Sequence, residues 1–561
     1  MEVWSRPAWL AVVAAACSAT ALACTWPLAL HLMDALPLGT ESAATIPLFD
    51  VWTLWWSGDR FLHGYRALWN APIFHPSEGT FAFSEPMWLL GALATPLFAL
   101  RAPPALGHNV VLLTVLAANG VFACRLLRAI RAPRLPALLG GVLMVALPIF
   151  AKLQGELPLL TVAGTLAAMD GLVRFGASGN SRHLLSAVAG VVVQALCCQQ
   201  LTLFGAPFLG AAALVALSKR GWSPAALARV AGAALLAGIA LFLCARTPLR
   251  VHAQEGFTRS AALVESLSAR PADFFTRPAG ALIPFPVPEA PDAFTGGLFP
   301  GVLVLGLALL GIVRPPSGFG RWRWYAAGAC AGAGLLALGL HISVGGWRPF
   351  GSLRTLPGFS EVRSPFRWAV IWQMHLALLA AIGLAALARR RAAALVLTLG
   401  LLAALENTSI PARLLPVPRQ ARTAWTAALG SQPPGTVVAH VPFPRGGAVE
   451  DLAPEAWHLF AQLDHHQPLL NGYASNFPTV YRAFMFAMGA EFPNHALACA
   501  LRTVFGATLL VADQSWLAAH RASFEAVGPM LVPTYADGDV AIFRLQPSPS
   551  ECPPVRLDVL P

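Results

Sequence analysis

Charge is what this chain of 561 residues has little of. Only 12% of its residues are Asp, Glu, Lys or Arg, while 56% are hydrophobic and the mean hydropathy is +0.61. A soluble domain carries about 25% charged residues. The deficit excludes an ordinary soluble protein and predicts a polytopic α-helical membrane protein. Acid is the scarcer sign: 27 Asp+Glu stand against 38 Lys+Arg, nearly all arginine, for a formal net charge of +11. In a soluble chain that excess would point to nucleic acid. Here arginine marks cytoplasmic loops and sites for anionic lipid, so the bilayer is the expected partner and nucleic acid is not. Cysteine is sparse too. The nine form no CxxC pair and no metal-ligand spacing. Seven lie in apolar segments, where they pack; a disulfide between Cys499 and Cys552 in the polar tail is open but has no support from the sequence. Internal repeats and low-complexity tracts are absent.

What is there is a series of apolar runs. The first, Ala8–Met33, is too long for a signal-peptide core and reads as an uncleaved span with Arg6 inside. Further runs at 106–124, 135–151, 157–174, 184–199, 201–217, 227–245, 297–313, 323–341, 368–388 and 392–408 bring the expectation to about eleven transmembrane helices. With the N-terminus cytoplasmic, five short inner loops collect fifteen basic residues, among them Arg125, Arg128, Arg131 and Arg134, and Arg389, Arg390 and Arg391. The run 86–100 is too short to span and would put the 125–134 arginines outside, so it reads as an interfacial or re-entrant helix. Large external loops then cover 34–105, 246–296 and 342–367. The predicted organisation is a transmembrane unit, 1–408, and an extracytoplasmic α/β domain, 409–561. In the latter, "PPGTVVAHVPFP" and "GATLLVAD" read as strands, and "EDLAPEAWHLFAQL" and "TVYRAFMFAMG" as helices.

The first external loop concentrates polar and aromatic residues. Trp52, Trp55, Trp56, Trp69 and Trp88 suit a membrane interface. From Asp50 to His63 the apolar spacing predicts a helix lying along the bilayer surface, with Asp50 either its N-cap or an acid facing a cavity. Asp59 and Arg60 read as a solvated face, and His63 and His75 as interfacial anchors or polar site groups.

These residues carry a resemblance. Trp52, Leu54 and Trp56, then "IFHP" at 73–76 and "FSEP" at 83–86, resemble the first external loop of multispanning glycosyltransferases of the GT-C superfamily. They are closer still to a group of poorly characterised bacterial proteins with that architecture. "GFTRSAALVESLSARPADFF" (256–275), "LFPG" (298–301), "LPGFSEVRSPFRW" (356–368) and "HHQPLLNGYASNFP" (465–478) are similar to later motifs of the group, in order along nearly the whole chain. The resemblance implies transfer of a sugar from a polyprenyl-phosphate carrier to an envelope glycan acceptor at the outer face of the bacterial plasma membrane. It implies an acid in the first loop that takes a proton from the attacking hydroxyl, and basic groups that hold the lipid phosphate. The group's usual acidic position is Ile46 here. Asp50 takes over the role, Glu41 reaches in, or the site no longer catalyses.

Among the remaining motif residues, Arg363 and Arg367 are the leading carrier-phosphate ligands, with Arg259 beside them; interfacial snorkelling is their plainer reading. Glu85 is either the cap of the re-entrant helix or a second acid in the cavity. His75, Asn471 and Tyr473 are candidate substrate-binding groups, the last two on a loop folding back onto the site. His465 and His466 lack a third ligand at a usual spacing, so no metal or other cofactor is expected. Two other classes stay open: a catalytically inactive relative that binds lipid-linked glycan or assists envelope assembly, and a secondary transporter. The lack of a repeat between halves and the gathering of polar groups at one face speak against the transporter.

Overall fold

The computed structural model describes residues 6–40, 43–283, 286–291, 294–356, 358–388, 393–548 and 551–553. Helices come first: α1 Arg6–Cys24, α2 Thr45–Leu62, α3 Trp88–Ala99, α4 Pro104–Ala129, α5 Arg134–Val145, α6 Pro148–Lys152, α7 Ala163–Ser178, α8 Arg182–Cys197, α9 Gln199–Arg220 and α10 Pro224–Glu255. They are followed by α11 Ala261–Ser266, α12 Val302–Val313, α13 Gly320–Ala337, α14 Pro349–Leu353, α15 Ala369–Ala388 and α16 Ala393–Glu406. Each of the eleven apolar runs holds a helix. Among the described residues seven helical stretches are long and apolar enough to cross a bilayer, while α3, α8, α12 and α16 are apolar but shorter. The protein is a multi-pass membrane protein. The first run stops being helical at Cys24, where Thr25–Pro27 form a turn, rather than continuing to Met33. Arg389, Arg390 and Arg391, expected from the sequence to form the last inner loop, lie outside the described residues.

Prolines divide the apolar runs where the site will form. Pro148 opens α6 after the break at Ala146 and Leu147, and Pro158 lies in the 3-10 turn Leu157–Leu160 ahead of α7. Pro365 opens a second such turn, Pro365–Trp368, ahead of α15. A ring nitrogen without N–H suits the first turn of a helix best, so these three prolines mark boundaries, with unsatisfied N–H groups near them; Pro96, Pro207 and Pro248 lie inside α3, α9 and α10.

The C-terminal part begins with a short antiparallel pair, β1 Ala35–Pro37 with β2 Leu414–Pro416, which ties it to the end of the first helical segment. Helices α17 Ala424–Gly430, α18 Ala453–His465, α19 Thr479–Glu491 and α20 His495–Thr503 then surround a four-stranded sheet of order β3-β4-β6-β5, with β3 Val438–Val441, β4 Leu509–Asp513, β5 Leu531–Ala536 and β6 Val540–Leu545. β3 and β4 are parallel and the other pairs antiparallel. Cys499 on α20 and Cys552 form a disulfide with Cα atoms 5.7 Å apart. That pair had no sequence support because its 53-residue separation is bridged only by the folded tail.

The helix around Asp50 differs from its expectation. It starts at Thr45, five residues earlier, and does not lie free along a surface: most of its length is buried. One face packs against α3 and another against α18. The indole N–H of Trp52 donates to Gln462 Oε1 at 2.7 Å, and Gln462 Nε2 donates to the Pro72 carbonyl at 2.7 Å. Phe49, Trp52, Phe74 and Phe83 share one apolar cluster with Leu469, Leu470, Tyr481 and Phe484. The first loop and the C-terminal part therefore have a common core, which neither could bury alone.

That core also contains buried histidines. His440 on β3 and His458 on α18 stack with ring centroids 4.2 Å apart. His440 Nε2, His458 Nδ1 and His465 Nε2 are buried without a hydrogen-bond partner among the described residues. Burial holds His440 well below the ordinary imidazole range and His465 down to about 3, and neighbouring histidines lower both further. A folded pKa below the unfolded value of about 6.5 means that the unfolded chain takes up more protons as pH falls below about 6.5. Stability should then drop by up to about 1.4 kcal/mol per pH unit for each such histidine. Thermal unfolding of the detergent-solubilised protein, followed by tryptophan fluorescence, should show a falling Tm from pH 7.5 to pH 5. His440→Phe, which keeps the ring stack and cannot charge, should flatten the slope. An unchanged Tm across that range would rule the account out.

Candidate functional site

Polar groups from five elements meet where the prolines break the apolar runs. The approach of 35–40 to the α6–α7 connection sets the geometry. Gly39 adopts φ +58°, and a Cβ there would sit 2.4 Å from the Lys152 carbonyl oxygen, so only glycine lets the two backbones touch. The Thr40 N–H donates to that same oxygen at 3.0 Å. This places α2 beside the turn Leu157–Leu160.

Asp50 lies on the second turn of α2 and is buried, 4% exposed. It is not the helix N-cap, which is Ala44. Its Oδ2 accepts the Leu157 N–H at 2.8 Å, at the start of the 3-10 turn, where unsatisfied N–H groups favour an anion. Glu156, one residue earlier, pairs with Arg367 on the turn ahead of α15; the two are 7% and 6% exposed. Arg367 Nη1 also donates to Gln200 Oε1 at 3.2 Å. Gln200 N–H and Gln199 N–H in turn donate to the two oxygens of Glu85, at 2.7 and 2.9 Å. Burial pushes the Glu85 carboxyl above the ordinary range, against the pull of those N–H groups and of Arg367. The result is one connected chain, Asp50–Leu157, Glu156–Arg367–Gln200–Glu85, joining α2, the two turns, the head of α9 and the loop before α3. Lys152, 3% exposed, stands beside it with its ammonium 5.5 Å from the Phe366 ring centre.

A second group lies where the loops after α10 and after α14 meet the C-terminal part. Arg259 donates to the Ser475 carbonyl at 2.9 Å, and Arg354 donates to the Arg259 carbonyl. His252 Nδ1 lies 3.5 Å from Glu361. Burial and the neighbouring Arg363 lower Arg259 to about 10, with Glu361 opposing. The Nε atoms of Arg259, Arg354 and Arg367 and the hydroxyl of Ser364 are buried with no hydrogen-bond partner among the described residues. Each such donor costs about 1–3 kcal/mol unless something accepts from it, and together they suit an anion.

Several residues named from the sequence stand elsewhere. Glu41 lies outside the described residues. Glu85 is not the cap of α3; it caps α9, from across the fold. Arg367 gives one nitrogen to Glu156 and one to Gln200, and only its Nε has no partner among the described residues. Asn471 is fully buried, and its amide is spent on both backbone groups of His440 and on Glu455. It holds β3 to α18 and offers nothing to a sugar. The Tyr473 ring packs edge-on against Phe49, 5.6 Å away. His75 is half-buried at the junction with the C-terminal part, where its backbone N–H donates to the Leu469 carbonyl. Among the described residues no group of three or more His, Cys, Asp or Glu is placed to hold a metal ion. Gln200, Arg354 and His252 were missed; "CCQQ" at 197–200, a polar pair between two apolar runs, was the available signal for the first.

No protein-family model matches the chain, and no curated protein matches it. Solved structures do. The arabinofuranosyltransferase AftD from Mycobacteria superposes with a TM-score of 0.51 at 15% identity, over 97% of this chain and 40% of the other. Its R1389S mutant, in one class, gives 0.53 at 15% identity, over 97% and 42%. This chain thus spans about two fifths of the length of those proteins. ArnT from Cupriavidus metallidurans in the apo state aligns over 96% of this chain and 97% of the other, at 13% identity and a TM-score of 0.44. The fold of this chain is therefore similar to that of the arabinofuranosyltransferase AftD over the part of that protein which it spans.

Proposed function

We propose that the chain is an integral membrane glycosyltransferase that moves a sugar from a polyprenyl-phosphate carrier to an envelope glycan acceptor. The observation that carries this reading is the set of buried donors on Arg259, Arg354, Arg367 and Ser364 without a hydrogen-bond partner among the described residues; the buried carboxylates of Asp50, Glu156 and Glu85 and a fold similar to that of AftD support it. The carrier phosphate lies against Arg259 and Arg363. Asp50 accepts the proton of the attacking hydroxyl as the glycosidic bond forms. Arg367 and Glu156 hold the two turns on which the site is built. Residues 1–408 form the eleven-span unit with its external loops at 34–105, 246–296 and 342–367, and residues 409–561 the α/β domain outside a bacterial plasma membrane, the N-terminus being cytoplasmic. A second reading, an inactive relative that binds lipid-linked glycan, draws on Ile46 at the family's usual acidic position and on the use of Asp50 Oδ2 to hold the Leu157 N–H.

The test is transfer from radiolabelled polyprenyl-phosphate sugar to membrane extract by the purified protein in vesicles. Binding of the carrier is measured alongside. Arg259→Ala and Arg363→Ala should each weaken carrier binding by about 2–5 kcal/mol. Arg521→Ala, at an exposed position of the C-terminal part, should not. Equal losses in all three would indicate general attraction to a lipid surface.

The assigned orientation has its own test. Disulfides persist in oxidising compartments. In intact cells a membrane-impermeant maleimide should label Cys499 and Cys552 only after an impermeant reductant is added. The Cys499→Ser/Cys552→Ser double variant should lose that increment. Labelling that appears only after permeabilisation would place the C-terminal part inside.

A further inference from the structure

Away from the carboxylate chain, one end of the bundle is rich in cations and almost without acids. The stretches 125–134, 170–182, 219–229 and 314–323 hold twelve Lys and Arg and a single acid, Asp170. Contacts tie these stretches together. Arg229 Nη1 donates to the Gly179 carbonyl at 2.9 Å and Arg321 Nη1 to the Ser218 carbonyl at 2.6 Å, and the Lys219 ammonium lies 5.8 Å from the Trp322 ring centre. Carbonyls and rings orient a cation without cancelling its charge. Asp170 and its partners lie within helices that are long and apolar enough to cross a bilayer. Asp170 is eight residues before the end of α7, and Arg125 four before the end of α4. At 1.5 Å per residue they stop about 12 Å and about 6 Å short of those ends. An ionised side chain inside such a helix is costly, and it marks a functional position by default.

Asp170 is buried, 1% exposed. Its carboxylate takes two guanidiniums, one from each helix. Arg125 Nε donates to Oδ2 at 3.0 Å, and Arg174 Nε donates to Oδ1 at 2.8 Å and to Oδ2 at 2.9 Å. Sharing Oδ2 keeps the two Nε atoms no more than about 5.9 Å apart. One arginine would suffice to neutralise the acid; the second leaves a positive charge over. The bonding is also one-sided. Both arginines spend Nε on Asp170, and the Nη atoms of neither make a hydrogen bond to any described residue. The side chains are 54% and 37% exposed, so those atoms have open access. The Arg125 guanidinium lies 5.9 Å from the Phe122 ring centre, which puts apolar surface beside it. Two planar forks are thus held side by side by one buried acid, with their donor pairs outward. Phosphate oxygens match that arrangement, and an ammonium could not supply it.

We propose that Arg125 and Arg174 bind the headgroup phosphate of an anionic phospholipid from the leaflet at this end of the bundle, with Asp170 positioning both. The lipid source follows from the place, at the ends of two apolar helices and beside Phe122. The surrounding cations draw an anionic headgroup in. The proposal is independent of transferase activity, since its test is binding. The full-length protein in detergent is titrated with chain-matched phosphatidylglycerol or phosphatidylcholine and followed by native mass spectrometry. Wild type should bind phosphatidylglycerol at least about tenfold more tightly, about 1.4 kcal/mol, because choline offsets the phosphate charge of the other lipid. Arg125→Lys and Arg174→Lys keep the charge and can still pair with Asp170, but lose the fork. Each should lower the phosphatidylglycerol affinity by about tenfold, and either one serves where the other does not fold. Arg314→Gln, exposed between α12 and α13 at the same end, should change it by less than about twofold, the range of ordinary surface substitutions. Asp170→Asn adds a positive charge yet frees at least one arginine from its hold, so it should weaken binding. Tighter binding by that variant, or equal losses from the Lys variants and Arg314→Gln, would mean attraction by charge alone and overturn the proposal. So would equal affinity of wild type for the two lipids. Glycerol 3-phosphate, the same group without chains, should leave the bound lipid in place; its displacement of the lipid at equal concentration would overturn the lipid assignment.

Discussion

Replacing Asp50 by Asn should lower sugar transfer by about 10²–10⁴-fold and leave the protein folded. The amide oxygen can still accept the Leu157 N–H that Asp50 Oδ2 accepts at 2.8 Å, so the turn ahead of α7 stays in place. What is lost is the charge that takes up a proton. Asp50→Ala differs: it removes the acceptor as well and leaves a buried N–H unmet, at a cost of about 1–3 kcal/mol. If Asp50 serves only to hold that turn, Asn should be nearly silent and Ala should lower stability. Transfer rates and unfolding of both variants, measured together, separate the two roles. Full transferase activity in folded Asp50→Asn would remove this carboxylate from the chemistry and turn attention to Glu41. An inactive wild type, tried with several polyprenyl-phosphate sugars, would favour the non-catalytic relative.

Legibility in the sequence stopped at partners distant in the chain. The apolar runs were long, and each contains a helix; the run 106–124 lies within Pro104–Ala129, whose start is set by proline. The strands flanked by "PPG" and "GA" were visible for the same local reason, as β3 and β4. The loop around Asp50 was harder. Its apolar residues, Val51, Leu54 and Trp55, fit a surface helix as well as a buried one, because periodicity identifies an apolar face and not what covers it. Trp52 is covered by Gln462, 410 residues away. The motif at 465–478 was visible as a motif, yet Asn471 turned out to be committed to β3, since a buried amide is spent first on nearby backbone. The polar residues Glu85 and Arg367, at the ends of the runs, stand out in the sequence, as does Glu156. Which helix head each would satisfy depends on packing between helices, and that no local pattern records.

The Arg367–Glu156 pair should prove the most sensitive tie in the fold. Both groups are nearly inaccessible to water. Arg367→Ala therefore strands the Glu156 carboxylate in a poorly solvated place, and Gln200 loses the guanidinium that its side chain accepts from. Breaking such a pair from one side typically costs about 3–5 kcal/mol. Glu156→Gln should cost less than this, since the amide oxygen still accepts from Arg367. Removing both charges with matched volume, Arg367→Met with Glu156→Leu, should recover most of the loss, because neither side is then left charged and alone. Unfolding in nanodiscs gives these values, and carrier binding by the same variants assigns the role. A guanidinium that also touches the lipid phosphate predicts that the double variant regains stability but not binding. A guanidinium that only joins the two turns predicts that both return. Arg367→Ala with stability within about 0.5 kcal/mol of wild type, the range of ordinary surface substitutions, would mean that the pair holds nothing together and that the two turns are fixed by their prolines and packing alone.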